Sequence, residues 1–425
     1  ESYLAPREGI GSLVVPGRVL HLLSQKPGWT GSGVALDAMV RLAAQRGWDQ
    51  NVVVGISSQD PPPEVGDLDG AHVHPLLFES ESLPFLVPGM SDVMPYPSTH
   101  FSAMTRGEVG RYFSAWMGHL QRIVAEFQPQ VIHSHHVWVM SSLAKSIATS
   151  IPVVTHCHGT GLRQMELCPA LAEEVRAGCS RNEAFVVLHK EHSTILQAQL
   201  GVDASRISIV GNGFRDDVFY EPERPVVGPT ITYAGKLSRA KGLPWLIKAV
   251  EKLASRNSGI VLHVAGSGSG PEADAIRRQI DLSERVVFHG QIDQRKLADL
   301  FRKSTVFVLP SFYEGLPLVL VEAAACGCRL VATRLRGVVH ELEPQLGELL
   351  ELVDLPRLER MDTPVAEDLP AFVDNLAAAI HRSLSKPPPE ETSGHVHSMT
   401  WQAVFERIEH VWLRYMQMAS SSPGV

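Results

Sequence analysis

The sequence predicts an α/β protein built from two doubly wound, parallel-sheet domains, and three observations carry that prediction. The chain has 425 residues, and because single hydrophobic cores stop growing at ~250–300 residues, such a length divides most simply into two domains of about 200 each. Short β-branched runs alternate with amphipathic stretches along most of it, the pattern of a parallel sheet with helices on both faces. A Pro-rich break, Glu221-Pro-Glu-Arg-Pro225, separates two such series.

The first series contains Val19–Leu23, Val52–Ile56, Val131–His133, Val153–His156, Phe185–Leu188 and Ile207–Val210. The second contains Ile231–Ala234, Ile260–Val264, Val286–Phe288, Val306–Leu309 and Leu330–Ala332. Domains are therefore expected at 1–224 and 225–395, followed by a C-terminal helix and tail at 396–425. Two stretches depart from the alternation. Residues 78–105, punctuated by Pro84, Pro88, Pro95 and Pro97, have no clear period and read as a long irregular excursion of the kind that forms lids or binding loops. Lys386-Pro-Pro-Pro-Glu390 reads as a linker to a last helix, Trp401–Met416, in which Val404, Ile408, Val411, Trp412 and Tyr415 recur at helical spacing. That helix is expected to pack back onto the N-terminal domain, with Trp401, Trp412 and Tyr415 as packing residues rather than a carbohydrate platform.

Composition narrows the function. Hydrophobic residues make up 44% and charged residues 20%, ordinary globular usage. The net charge is −8 with Lys and Arg scattered, so nucleic acid is not an expected partner. The longest apolar run, Leu316 to Val331, falls short of a bilayer span and is interrupted by Glu322 and Arg329. From Glu1 the N-terminus lacks a charged-then-apolar signal pattern and reads as mature protein. Five cysteines, an odd number, fit a reducing compartment better than a disulfide framework. A cytoplasmic location is expected, with membrane contact at most peripheral at the inner face.

The segment Val308–Glu322 reads as a buried strand, a loop and a helix opened by Pro317 and closed around Gly327. Free N–H groups of residues 315 to 319 at the helix start form a ready phosphate site. Glu314 and Glu322, eight positions apart, are acceptors suited to the hydroxyls of a sugar and a ribose. Solvated surface glutamates are the alternative reading.

These residues resemble the retaining glycosyltransferases of family 4, whose architecture, GT-B, sets two Rossmann-like domains facing each other across a cleft. The E-x7-E motif matches Glu314 and Glu322 within a full S-x-x-E-G-x-P-L-x-x-x-E-A context. Tyr233–Gly242 is similar to the family's strand-loop segment whose two cations clasp the donor diphosphate, here Lys236 and Lys241. Lys236 stands where arginine is usual, which keeps the charge but loses bidentate geometry. Gly28–Gly33 resembles the glycine-rich first βα loop, and Thr155–Gly161 looks like the H-G-T-D segment, with His158 as the active-site histidine and Gly161 where Asp is usual. Gly211-Asn-Gly213, Ala265–Gly270 and Val286–Ile292 match the interdomain turn, the G-x-G loop by the nucleotide and the strand beside the base.

The resemblance implies His158, Lys236, Lys241 and Glu314 in catalysis. It implies donor contacts from Gly31, Ser32, Gly33, Asn212, Gly235, Gly266, Gly268, Gln291, Ile292, Gly315, Leu316, Pro317, Leu318, Val319 and Glu322. The expected substrates are a nucleoside diphosphate sugar, first a uridine diphosphate sugar, and a sugar-containing or small-molecule acceptor; no cofactor or metal is expected. A strand-end D-x-D pair is missing, and Asp216-Asp217 reads as loop surface. His133, His135, His136, His156, Cys157, His158, Cys168 and Cys179 suggest zinc, but no C-x2-C pair occurs and strand alternation sends His135 and His136 to opposite sides. They read instead as hydrogen-bonded histidines and buried free thiols. A sugar-nucleotide 2-epimerase and a non-catalytic carbohydrate binder remain as alternatives on the same scaffold.

Overall fold

The computed structural model describes residues 17–91, 94–224, 226, 228–255, 259–389 and 392–421. The N-terminal residues from Glu1, Pro225 of the expected break and Glu390 of the expected linker lie outside them. The chain divides into two compact units.

The first unit comprises the chain up to Gly211 together with the residues from Val404 onward. Its sheet has seven strands: β1 (Arg18–Leu23), β2 (Asp49–Ser57), β3 (Val73–Phe78), β4 (Val131–His135), β5 (Val153–Cys157), β6 (Ala184–Val187) and β7 (Ile207–Ile209). All pairings are parallel, in the order β3-β2-β1-β4-β5-β6-β7. Both faces of the central strands are covered; Val19, Leu20, Leu22 and Leu23 of β1 are all buried, and so is His21 among them. The strand β3 was not foreseen. It lies at the sheet edge, where Pro75 is tolerated because its missing N–H removes no ladder bond to a further strand.

The second unit, Asn212–Ala403, holds β8 (Thr230–Ala234), β9 (Val261–Ala265), β10 (Val286–Gly290), β11 (Val306–Leu309), β12 (Arg329–Thr333) and β13 (Leu350–Val353). These are also parallel, in the order β10-β9-β8-β11-β12-β13. The unforeseen β13 is again an edge strand, with three of its four residues only half-buried. In each sheet the order reverses beside its first strand, between β1 and β4 and between β8 and β11. Ligands of open α/β sheets bind at such switch points, outside the carboxyl ends of the strands.

The first division falls at 211/212 rather than at the Pro-rich break. Phe214, Val218 and Phe219 are buried in the same core as Phe307 and Leu320, so the segment before the break belongs to the second unit. Val396 and Met399 join that core too, which moves the start of the returning segment from 396 to 404. The expected linker is docked: the Pro387 carbonyl accepts from Arg329 Nε at 3.0 Å and Nη2 at 2.8 Å.

Residues 79–105 do not form an open excursion. Leu83, Phe85, Val87, Met90 and Phe101 are buried in the first unit's main core, and a capping box of Thr105 and Glu108 then starts the helix Arg106–Phe127. The apolar residues between the prolines, without a period of their own, anchor this segment one by one. The final helix, Trp401–Ser421, presents Val404, Ile408, Val411, Trp412 and Tyr415 as buried residues. Trp401 is buried as well, against Gly213.

Candidate active site

In the second unit the loops following β8, β9, β10 and β11 are tied together by main-chain hydrogen bonds. Gly235 N–H donates to the Ala265 carbonyl at 3.0 Å, Leu237 N–H to Ser267 at 3.0 Å, and Gly266 N–H to Gly290 at 2.7 Å. The approach of the first pair of loops requires glycine: Gly266 has φ +149°, and a Cβ there would sit 1.8 Å from the Gly235 carbonyl oxygen. Across the switch point, Phe312 N–H donates to the Ala240 carbonyl at 2.9 Å, and Gly242, at φ +72°, lies so close to Pro310 that a Cβ would meet its oxygen at 1.9 Å. These contacts bring the β8 loop, carrying Lys236 and Lys241, against the β11 loop carrying Glu314.

Lys241 Nζ stands 2.7 Å from Glu314 Oε1, and Ser311 Oγ donates to the same oxygen at 2.8 Å. Ser311 is itself held by Thr333, whose hydroxyl donates to the Ser311 carbonyl. Among the described residues Glu314 Oε2 takes no hydrogen bond. Lys236 is exposed, and its carbonyl accepts from the buried Tyr233 hydroxyl at 2.8 Å.

The helix after this loop runs Leu318–Ala325, one residue later than a Pro317 start, with Pro317 as its N-cap. Pro317 has no N–H, and the Leu318 N–H donates to the Leu316 carbonyl at 3.0 Å. The expected amide cradle over 315–319 is therefore narrower than the sequence suggested. Glu322, inside the helix, is pushed up to about 7 by burial. Between the second and third of these loops, Ser267 Oγ donates to Gln291 Oε1 at 3.3 Å beside half-buried Ile292, and on the second Gly268 lies beside the Leu237 carbonyl. Asn212 accepts from Gly213 N–H at 3.1 Å, and Asp217 pairs with Arg215 on the exposed surface.

In the first unit the loop after β1 carries Gly28–Gly33. Thr30 caps the helix Gly31–Gln45 by accepting from Gly33 N–H, and buried Gln25 donates at 2.7 Å to both Thr30 Oγ1 and Ser32 Oγ. His158 directly follows β5. Its Nε2 lies 2.9 Å from His135 Nδ1 in a nearly coplanar pair, and its ring stacks on His156 with centroids 4.1 Å apart. Burial holds His158, His135 and His133 well below the ordinary imidazole range, and His136 and His156 down to about 3. His135 and His136 do not diverge: β4 ends at His135, His136 turns to φ +69°, and both rings lie about 5 Å from His158, at 5.2 and 5.1 Å. The five cysteines are buried free thiols. One ring nitrogen from each of His133, His135 and His156 lies within 4.8 Å of the others.

Comparison with known proteins decides the family. Residues 30–213 match the "Glycosyl transferase 4-like domain", and residues 228–354 match "Glycosyl transferases group 1". The chain belongs to the family 4 glycosyltransferases. It is 26% identical over 342 residues to a D-inositol 3-phosphate glycosyltransferase of Xylanimonas cellulosilytica, covering 72% of this chain and 76% of that one. It is also 26% identical over 404 residues to a glycogen synthase of Mycobacterium tuberculosis, covering 85% and 94%. Sucrose-phosphate synthase of Thermosynechococcus elongatus shares the fold, with a TM-score of 0.58 at 17% identity over 95% of this chain and all (100%) of that one. Anabaena HepE in complex with UDP-glucose shares it with a TM-score of 0.54 at 16% identity over 94% and 100%. The architecture is GT-B.

Within this glycosyltransferase the structure groups Lys241, Glu314, Gly235, Gly266, Gly268 and Gln291 at the strand ends of the second unit. His158, Gly31, Ser32 and Gly33 are at the strand ends of the first. Sequence reading gave no role to Ser311, Thr333 or Gln25 and took His135 only as one of several hydrogen-bonded histidines. Ser311 was visible as the first residue of S-x-x-E; Thr333 and His135 meet partners from other strands or loops, whereas Gln25 bonds within its own loop, to Thr30 and Ser32.

Proposed function

We propose that this glycosyltransferase is a retaining, metal-independent enzyme that moves a sugar from a nucleoside diphosphate sugar, in the first place a UDP-sugar, to a hydroxyl of a carbohydrate or glycoconjugate acceptor. The observation that carries the reading is the Lys241–Glu314 pair at the β8/β11 switch point: a cation for the diphosphate beside a carboxylate with one open oxygen for sugar hydroxyls. The UDP and UDP-glucose complexes of the structurally similar Anabaena protein support the choice of base.

As the bond from the anomeric carbon to the β-phosphate oxygen breaks, negative charge grows on that oxygen. Preorganised positive groups lower the barrier by stabilising it. Lys241 and Lys236 supply two such charges. The acceptor oxygen bonds to the anomeric carbon on the face the phosphate leaves, and its proton passes to the departing phosphate, so configuration is kept. Glu314 Oε2 accepts from a hydroxyl of the transferred sugar, Glu322 from the ribose, and His158 binds a sugar oxygen.

Incubation with a panel of nucleotide sugars and sugar acceptors tests the reading. Release of nucleoside diphosphate with an axial donor giving an axial product supports it, and the rate is expected to survive a chelator. Epimerised donor, inverted product, or activity that returns only with a divalent ion would each overturn the part it addresses. Among the described residues no helix is long and apolar enough to cross a membrane.

A further inference from the structure

The chain has seven tryptophans; six of them are at most 6% exposed, and Trp29 is 61% exposed. A single exposed apolar side chain is ordinary, so what matters is how this one is held. Gln25 Nε2 donates at 2.7 Å to Thr30 Oγ1 and to Ser32 Oγ, which ties the loop together across Trp29. Lys26 Nζ is bonded to both carboxylate oxygens of Asp60, at 2.8 and 2.6 Å, and lies 5.3 Å from the centre of the Tyr96 ring. Tyr96 is buried, and its ring stands at 82° to that of Trp29 with centroids 6.3 Å apart. In such an edge-to-face contact one ring gives its edge, so Tyr96 covers at most one face of the indole.

These residues come from three neighbouring strand ends of the first unit. Gln25 and Lys26 follow β1, Asp60 follows β2, and Tyr96 belongs to the segment after β3 whose apolar residues are anchored in that unit's core. The cluster therefore lies outside the carboxyl ends of the strands, the side on which open α/β sheets bind ligands. Its charges are already matched. Asp60 takes both bonds from Lys26 and a third from the Ser57 N–H at 2.8 Å. An anionic ligand would have to break that pair to reach the cation, whereas an uncharged ring leaves it intact.

We propose that Trp29 is the platform on which a neutral pyranose ring of the acceptor stacks, with Tyr96 as its backing. The C–H bonds on one face of a pyranose carry slight positive charge and fit the negative face of an indole, while the ring hydroxyls stay at the rim, toward water and polar groups. An aromatic side chain fixed before the ligand arrives loses little freedom on binding. The proposal rests on the proposed transferase reading for the word acceptor; the stacking itself is measured without transfer.

Acrylamide quenching of tryptophan emission in the full chain reads Trp29 selectively, because the other six indoles are buried. The probes are the methyl glycosides of glucose, galactose, mannose and N-acetylglucosamine, with glucose 6-phosphate as the anionic comparison and UDP as the donor product. The expected result is a quenchable component that is lost in Trp29→Ala and is shielded by at least one neutral glycoside, and shielded less by glucose 6-phosphate and by UDP. In transfer, Trp29→Ala is expected to raise acceptor KM roughly tenfold with donor KM unchanged, and Trp29→Phe to recover most of that loss. No shielding by any neutral glycoside, shielding by UDP or glucose 6-phosphate that equals it, or an unchanged acceptor KM in Trp29→Ala overturns the proposal. The wild-type titrations decide even if a variant fails to fold. Shielding by a neutral glycoside with no transfer in any assay counts against the proposed function alone.

Discussion

The ammonium of Lys241 lies 2.7 Å from Oε1 of Glu314, and both side chains are largely withdrawn from solvent, at 25% and 16% exposure. Each group proposed to hold the donor is thus held by the other before the donor arrives, and the proposed diphosphate is expected to bind by redirecting a charge already in place.

Lys241→Ala is expected to reduce transfer by at least about a hundredfold, since one of the positive charges facing the leaving diphosphate is lost. Unlike an exposed lysine, it also leaves a half-buried carboxylate with only Ser311, so a stability loss of about 1 kcal/mol is expected. Urea unfolding beside steady-state kinetics separates the two effects. Normal kcat/KM in this variant removes Lys241 from the phosphate site.

Glu314→Gln is expected to lower kcat and relax discrimination among donor sugars while leaving binding of free nucleoside diphosphate nearly unchanged, because that product lacks the sugar. Glu322→Gln should weaken donor and free diphosphate alike. Calorimetric titration of both variants with the diphosphate checks the division, and equal weakening in both abolishes it.

Donor affinity is expected to fall as pH drops below about 7, where the buried carboxyl of Glu322 takes up a proton. A neutral carboxyl is a poorer acceptor for ribose hydroxyls than a carboxylate. Titrations from pH 8 to 5.5 should show this slope in the wild type and a flatter line in Glu322→Gln. Identical profiles in the two proteins contradict the ribose assignment.

The buried histidines of the first unit are expected to make the fold acid-sensitive. His21 is lowered to about 4, and His136 and His156 to about 3, by burial. Below the ordinary imidazole value of 6.5 the unfolded chain therefore binds protons that the folded chain does not. Stability is fully present above that value and is lost as pH falls toward the folded values, at roughly 1.4 kcal/mol per pH unit for each proton taken up. Glu322, raised from 4.5 to about 7, works in the opposite sense as one proton against several. A urea midpoint that drops between pH 7 and 5 is the expected measurement, and a midpoint that stays level excludes the effect.

The central strands and the E-x7-E helix were legible from sequence because their causes are local. A strand such as β11 is buried on both faces and is apolar throughout, and Glu314 and Glu322 are tied by the short chain between them. The edge strands β3 and β13 were not legible, since a half-buried edge admits Pro75 and polar residues that erase the pattern. Nor was the unit boundary, because Phe214 and Phe219 look like ordinary loop hydrophobics until the second core closes over them. The pairing of Lys241 with Glu314 spans 73 positions, and that of Trp412 with His133 spans 279. Composition names such residues as cations, acceptors and imidazoles, but only the register of parallel strands and the docking of the last helix bring them within hydrogen-bond reach, where burial strips away water and makes each partner decisive.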